Sequence, residues 1–88
     1  MDVCFKRYNQ DEEVNKEYPT FRVYLELETN KDDYSKAIGT VWYWDFQNQY
    51  VFDAIDYLGI IEFSYDSEML RQISQFIERQ NEKLSETP

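Results

Sequence analysis

Apolar and polar residues alternate along much of the first two thirds of the chain, and this pattern predicts β-strands. Residues 21–28 alternate strictly, which is the period of a strand with one buried and one solvated face. Residues 3–8 predict a short strand at the edge of the sheet, and residues 37–46, rich in β-branched and aromatic side chains, predict another. Because turn-forming residues lie in the segment 29–36, we expect the strands on either side of it to pair antiparallel as a hairpin.

Residues 47–59 fit either a helix or a strand, and the sequence leaves both possibilities open. A helix is indicated by four apolar residues at the spacing i, i+3, i+4 and i+7: Val51, Ala54, Ile55 and Leu58. Asn48 would cap this helix and Gly59 would end it. The alternative is a strand over residues 50–54 that pairs back on residues 42–46. We favour this meander, because residues 46–50 have the pattern of a hairpin turn between two aromatic runs.

The C-terminal third predicts one more strand and a helix. Residues 60–65 alternate as a strand, and Asp66 or Ser67 then provides a cap for a helix over residues 68–84. This helix is expected to bury one apolar stripe: Leu70, Ile73, Phe76, Ile77 and Leu84. Residues 85–88 are expected to form a frayed tail. Together these elements predict one α+β domain over residues 1–84, with an antiparallel sheet of four or five strands and one C-terminal helix packed on one face.

Alternate residues of the strand predicted at 37–46 form two sets. Three large rings share one face: Trp42, Trp44 and Phe46. The other face carries Val41, Tyr43 and Asp45. We expect the three rings to belong to the core, because large aromatic side chains prefer burial. The polar character of Asp45 indicates that the second face is the solvated one.

Composition restricts the classes of partner that the chain can bind. Among its 88 residues, 18 are acidic and 9 are basic, which gives a formal net charge of −9. An acidic chain repels phosphate, so direct binding to nucleic acid or to an anionic membrane is disfavoured. The apolar content of 42% is nevertheless enough to build a core.

The residue types needed for common catalytic and cofactor sites are scarce. The chain has no histidine and a single cysteine, Cys4, so Ser/His/Asp or Cys/His catalysis, an internal disulfide and a cysteine-ligated zinc site are all excluded. With two glycines it has no phosphate-binding loop. We therefore expect a protein that is not an enzyme and has no cofactor or metal. The N-terminus has neither the basic start nor the apolar run of a signal peptide, which favours the cytoplasm.

The acidic residues are concentrated in one segment of the chain. The 34 residues between Lys36 and Arg71 contain six acids, no Lys or Arg, and nine of the sixteen aromatic residues. Carboxylates attract a basic partner, and tyrosines supply rigid contact area at interfaces. The outward residues are therefore predicted to form a partner-binding surface: Tyr24, Glu26, Glu28, Tyr43, Asp45, Asp53, Asp56 and Tyr57. The simpler alternative is that these acids only solvate the sheet and that the rings are core.

In size, charge and aromatic content the chain is similar in type to small acidic inhibitors. These include bacterial immunity proteins that neutralise a nuclease toxin, and phage proteins that mimic DNA to disarm restriction or CRISPR enzymes. This similarity is one of class and assigns no residues. We expect a protein that blocks a basic partner, such as a nuclease or another nucleic-acid-binding enzyme, and that is itself a monomer or a homodimer. A structural module that self-associates through an aromatic sheet face or an edge strand is the alternative. A pocket for a small ligand between sheet and helix is less favoured, since few basic residues could hold a phosphate.

Overall fold

The sheet formed by the described residues is a meander of four antiparallel strands. The computed structural model describes residues 1–8, 18–54 and 65–86. Its elements are five in number apart from a short 3-10 helix at Tyr34–Lys36: β1 (Val3–Arg7), β2 (Phe21–Leu25), β3 (Gly39–Trp44), β4 (Gln49–Ala54) and α1 (Ser67–Glu86). The strand order is β1-β2-β3-β4, with antiparallel pairing throughout. The predicted α+β fold, an antiparallel sheet of four or five strands with one C-terminal helix, is confirmed, with four strands among the described residues.

The β3–β4 hairpin decides between the two patterns of residues 47–59. Residues 49–54 form a strand that pairs with β3, with Tyr43 opposite Tyr50, so the meander is confirmed for this part. Asn48, considered as a helix cap, is instead a turn residue with a φ of 53°, a left-handed conformation that asparagine tolerates better than most residues. Residues 55–59, and all but the last residue of the strand predicted at 60–65, lie outside the described part of the chain.

The helix α1 begins and packs much as its sequence predicts. Asp66 is the cap, because its Oδ1 accepts a hydrogen bond from the backbone N–H of Met69 at 2.8 Å. On the buried side, the ring of Phe76 stacks on Phe5 with 3.9 Å between centroids and meets the edge of Phe21 at 4.9 Å. The buried stripe starts at Met69, which is 1% exposed, whereas Leu70, predicted to be buried, is 50% exposed.

The face of β3 that packs against the helix is the opposite of the predicted one. Val41 is fully buried in the core, and Tyr43 packs against the same cluster. The register explains this, since Val41 lies opposite Phe21 of β2 and Phe52 of β4, both on the apolar, helix-facing side of the sheet. Asp45 misled the prediction because it lies in the turn after β3, where its polarity carries no information about the strand.

Candidate functional site

A row of three aromatic rings, two of them exposed and one half-buried, lies at the surface of the β3–β4 hairpin. Trp42 and Trp44 lie on the face of β3 that points away from α1, and Phe46 follows in the turn. The ring centroids are 6.3 Å apart between Trp42 and Trp44, and 6.2 Å apart between Trp44 and Phe46. Trp44 is 38% exposed and Phe46 is 88% exposed. We call this row the aromatic ridge; the prediction that its three rings are core is wrong.

A carboxylate holds one end of the aromatic ridge in place. The indole Nε1–H of Trp42 donates a hydrogen bond to Asp53 Oδ2 at 2.7 Å. Asp53 lies on β4 opposite Thr40, so it is the diagonal cross-strand neighbour of Trp42 on the same face. Because the acceptor is charged, this hydrogen bond is stronger than one between neutral groups, and it orients the indole ring.

A second acid lies within the aromatic ridge itself. Asp45 is exposed in the turn between Trp44 and Phe46. Its backbone carbonyl oxygen accepts a hydrogen bond from the backbone N–H of Asn48 at 3.3 Å. Two of the predicted site residues, Asp45 and Asp53, therefore lie on one hairpin together with the exposed rings. The sequence prediction missed these rings as surface residues. Phe21 lies on the apolar face of β2 and pairs with Val41, so Val41 belongs to the core and the rings lie on the other face of β3.

Tyr24 was predicted to lie outward, and this is wrong. Its side chain is on the face opposite α1, as the alternation predicts, but it has no exposed surface. The connection between β2 and β3 covers it: the Tyr24 hydroxyl lies 3.4 Å from the carbonyl oxygen of Asp33, to which it donates, and Lys6 on β1 forms an ion pair with Asp32. The alternation along β2 predicts on which side of the sheet each side chain lies. Whether that side is buried depends on the loop that covers it, and the sequence of this loop has no alternating pattern.

Glu26 and Glu28 belong to the same covering connection, since β2 ends at Leu25. Glu26 is exposed, and Glu28 is half-buried, with its Oε1 accepting the backbone N–H of Asn30 at 3.2 Å. They follow the end of β2, whereas Asp45 follows the end of β3, which runs antiparallel to it. The predicted grouping of these glutamates beside Asp45 is therefore not formed.

Tyr43 lies on the helix-facing side, so its predicted position beside Asp45 on an outward face is wrong. Its ring stacks on Tyr18 with 4.0 Å between centroids, and its hydroxyl donates to Asn48 Oδ1 at 3.1 Å. The last two predicted site residues, Asp56 and Tyr57, lie outside the described part of the chain. Of the predicted site residues, Asp45 and Asp53 are thus the ones that the structure places beside the aromatic ridge.

The remaining chemistry of the described residues concerns the Cys4 thiol and possible metal ligands. Burial raises the pKa of the Cys4 thiol, which disfavours the nucleophilic thiolate. Residues 1–8, 18–54 and 65–86 contain no cluster of three or more His, Cys, Asp or Glu side chains that could hold a metal ion. What the hairpin offers instead is contact area and negative charge.

Comparison with known proteins adds no relative. No family model, curated protein or solved structure matches the chain. Within the part of the chain that the structure describes, no helix combines the length and apolar character that a membrane span requires.

Proposed function

We propose that this chain is a non-enzymatic binding protein that uses the aromatic ridge, Asp45 and Asp53 to block a basic protein, one whose own surface handles nucleic acid. The observation that carries the proposal is the exposure of Trp44 and Phe46 beside two carboxylates on one hairpin. Adjacent exposed rings are unfavourable in water unless a partner covers them, and such patches mark interaction sites.

The ring chemistry suits a protein interface. Tryptophan is among the residues that contribute most binding free energy at interfaces, because it buries a large area at a small cost in conformational entropy. The hydrogen bond from Trp42 to Asp53 reduces that cost further, since the indole is already oriented before binding.

Charge indicates the kind of partner. The chain carries a net charge of −9, and the 34 residues that include the hairpin contain six acids and no base. An arginine of a basic partner can stack on an indole face and pair with a neighbouring carboxylate at the same time. Spaced carboxylates can take the positions of phosphates in a nucleic-acid-binding groove, while exposed rings stack where bases would. The net charge also accelerates encounter with such a partner.

Self-association is the second candidate, and two observations favour it. β1 and β4 are the outer strands of the described sheet, and α1 side chains accept one backbone N–H on each of their outer edges, from Val3 and from Tyr50, so the rest of either edge could pair with a second copy. Phe46, at 88% exposure, could equally be covered by the same ring of another chain.

Site-specific photo-crosslinking separates the two candidates. A benzophenone amino acid replaces Phe46 in the cell of origin, and the matched control replaces Leu27, which is 83% exposed in the connection after β2. We expect a crosslink from position 46 to a basic, nucleic-acid-binding protein, and a much weaker one from position 27. Crosslinks from position 46 to the chain itself would support self-association instead, and equal capture from both positions would refute a specific surface.

A further inference from the structure

A groove on the helix side of the sheet is lined by two basic side chains, although the chain as a whole is acidic. It has a volume of about 830 Å³ and lies between the C-terminal half of α1, the β3–β4 turn and the residues that precede β2. Arg7 and Lys83 line it, and no Asp or Glu is among its lining residues within the described part of the chain. Both cations also have other interactions. In a chain with twice as many acids as bases, two basic side chains on one groove favour an anionic ligand there.

Stacked tyrosines form one wall of this groove. Tyr18 and Tyr43 stack with 4.0 Å between ring centroids, and Tyr43 meets Tyr50 edge-on at 5.9 Å. The hydroxyl of Tyr50 donates to the carbonyl of Pro19 at 3.1 Å, which ties the wall to the entry of β2. A planar ring can stack against such a wall with little reorganisation.

Two amides of α1 supply hydrogen-bonding groups. Gln80 lines the groove, is only 7% exposed, and its side-chain amide makes no hydrogen bond among the described residues. An amide without a protein partner can donate to and accept from a ligand. Next to it, Asn81 accepts the backbone N–H of Tyr50 at its Oδ1, 2.7 Å away, which leaves the Nδ2 hydrogens to donate elsewhere.

We propose that this groove binds a mononucleotide-like ligand, a planar heteroaromatic ring that carries a phosphate. The ring stacks on the Tyr18–Tyr43 wall, Gln80 and Asn81 bond its polar edge, and Arg7 and Lys83 face the phosphate. The volume falls within the range of small-molecule pockets, roughly 300–1,000 Å³. This site is independent of the aromatic ridge, which lies on the other face of the sheet, so either proposal can fail without the other.

Nuclear magnetic resonance titration tests the proposal directly. Wild-type protein is titrated with adenosine 5′-monophosphate, uridine 5′-monophosphate, adenosine and inorganic phosphate, and the side-chain NH₂ signals of Gln80 and Asn81 are followed. We expect saturable shifts with at least one mononucleotide, and binding roughly tenfold weaker or more for adenosine or phosphate alone. Absence of saturable shifts for both mononucleotides at millimolar concentration would overturn the proposal.

Three variants identify the groove as the site. Lys83→Glu should weaken mononucleotide binding by about tenfold or more, whereas Lys36→Glu, the same charge change outside the groove, should leave it unchanged. Gln80→Leu should weaken binding without lowering the melting temperature, because it replaces an unpaired amide with an apolar side chain of similar size. Equal affinity in all three variants would show that the ligand binds elsewhere and refute the assignment.

Discussion

At the scale of single residues, Trp42 and Asp53 couple the charge of the hairpin to the geometry of the aromatic ridge. Neither residue is in the core cluster, yet the hydrogen bond of 2.7 Å between them holds a large ring in one orientation at the surface. The indole of Trp42 is therefore held in one orientation before any contact is made, which lowers the entropic cost of a contact at this surface.

Substitution of Asp53 tests this coupling. In Asp53→Leu the indole of Trp42 loses its acceptor, so we expect a changed ¹⁵N–¹H signal for Nε1 and faster ring motion by relaxation measurements. Asp45→Leu is the matched control, because it removes an exposed acid from the same hairpin without removing that hydrogen bond. An unchanged Trp42 signal in Asp53→Leu would contradict the coupling.

At the scale of residues, the sequence predicts correctly which side of the sheet each β2 side chain lies on, but it fails to predict the burial of Tyr24 and the buried face of β3. The period of β2 correctly assigns Tyr24 to the face away from α1, but a connection with no period buries it completely. The identity of a polar residue misleads in the same way at Asp45, which lies beyond the end of its strand. Asp53 was predicted as a site residue for its charge, and its hydrogen bond to Trp42 depends on a cross-strand register that the sequence does not specify.

At the scale of elements, α1 shows how the rotation of a helix about its axis, which we call its phase, decides which of two neighbouring apolar residues is buried. An apolar residue stands at both positions 69 and 70, and the helix buries the first. The sequence predicts the helix and its Asp66 cap, because both depend on local interactions. The exact phase depends on the stacking of Phe76 with Phe5, a contact between residues distant in sequence.

Alanine substitutions at positions 69 and 70 measure that phase. Met69→Ala should lower the free energy of unfolding by about 2–5 kcal/mol, since it leaves a cavity in the core. Leu70→Ala, at 50% exposure, should change it by no more than about 0.5 kcal/mol. Urea unfolding followed by circular dichroism gives both values. A larger loss for Leu70→Ala than for Met69→Ala would contradict the observed packing.

The first turn of α1 should also respond to acid. The ion pair with Arg71, helped by a hydrogen bond from Gln72, lowers the pKa of the Glu68 carboxyl from 4.5 to about 2. A carboxyl with a lowered pKa stabilises the fold above its unfolded value, and this stabilisation is lost as the pH falls from about 4.5 to about 2. The pair is exposed, so the contribution is small and sensitive to salt.

The melting temperature measured across that pH range checks the effect. Glu68→Gln should lower the melting temperature at pH 7, and the difference from wild type should shrink towards pH 2. Glu78→Gln serves as the control, since Glu78 is exposed on the same helix. A difference for Glu68→Gln that is independent of pH would show that the carboxylate charge is not responsible.

At the scale of the whole molecule, charge and ring content divide between two surfaces. The aromatic ridge with Asp45 and Asp53 lies on the side of the sheet away from α1, and the groove lined by Arg7 and Lys83 lies on the helix side. Net charge alone predicts a basic partner but cannot predict this division, because it sums over both surfaces. The sequence predicts the strand order and the helix well, since a meander pairs neighbours along the chain.

The dissociation constant of the complex with the protein captured at position 46 tests the central claim most directly. It is measured for the wild type, for the double variant Trp44→Ser/Phe46→Ser, and for the exposed control Leu27→Ser, at low and at high salt. We predict a loss of affinity of roughly a hundredfold for the double variant, no change for the control, and clear weakening of the wild type by salt. Equal affinities for the double variant and the control, or a complex insensitive to salt, would contradict an acidic aromatic binding surface.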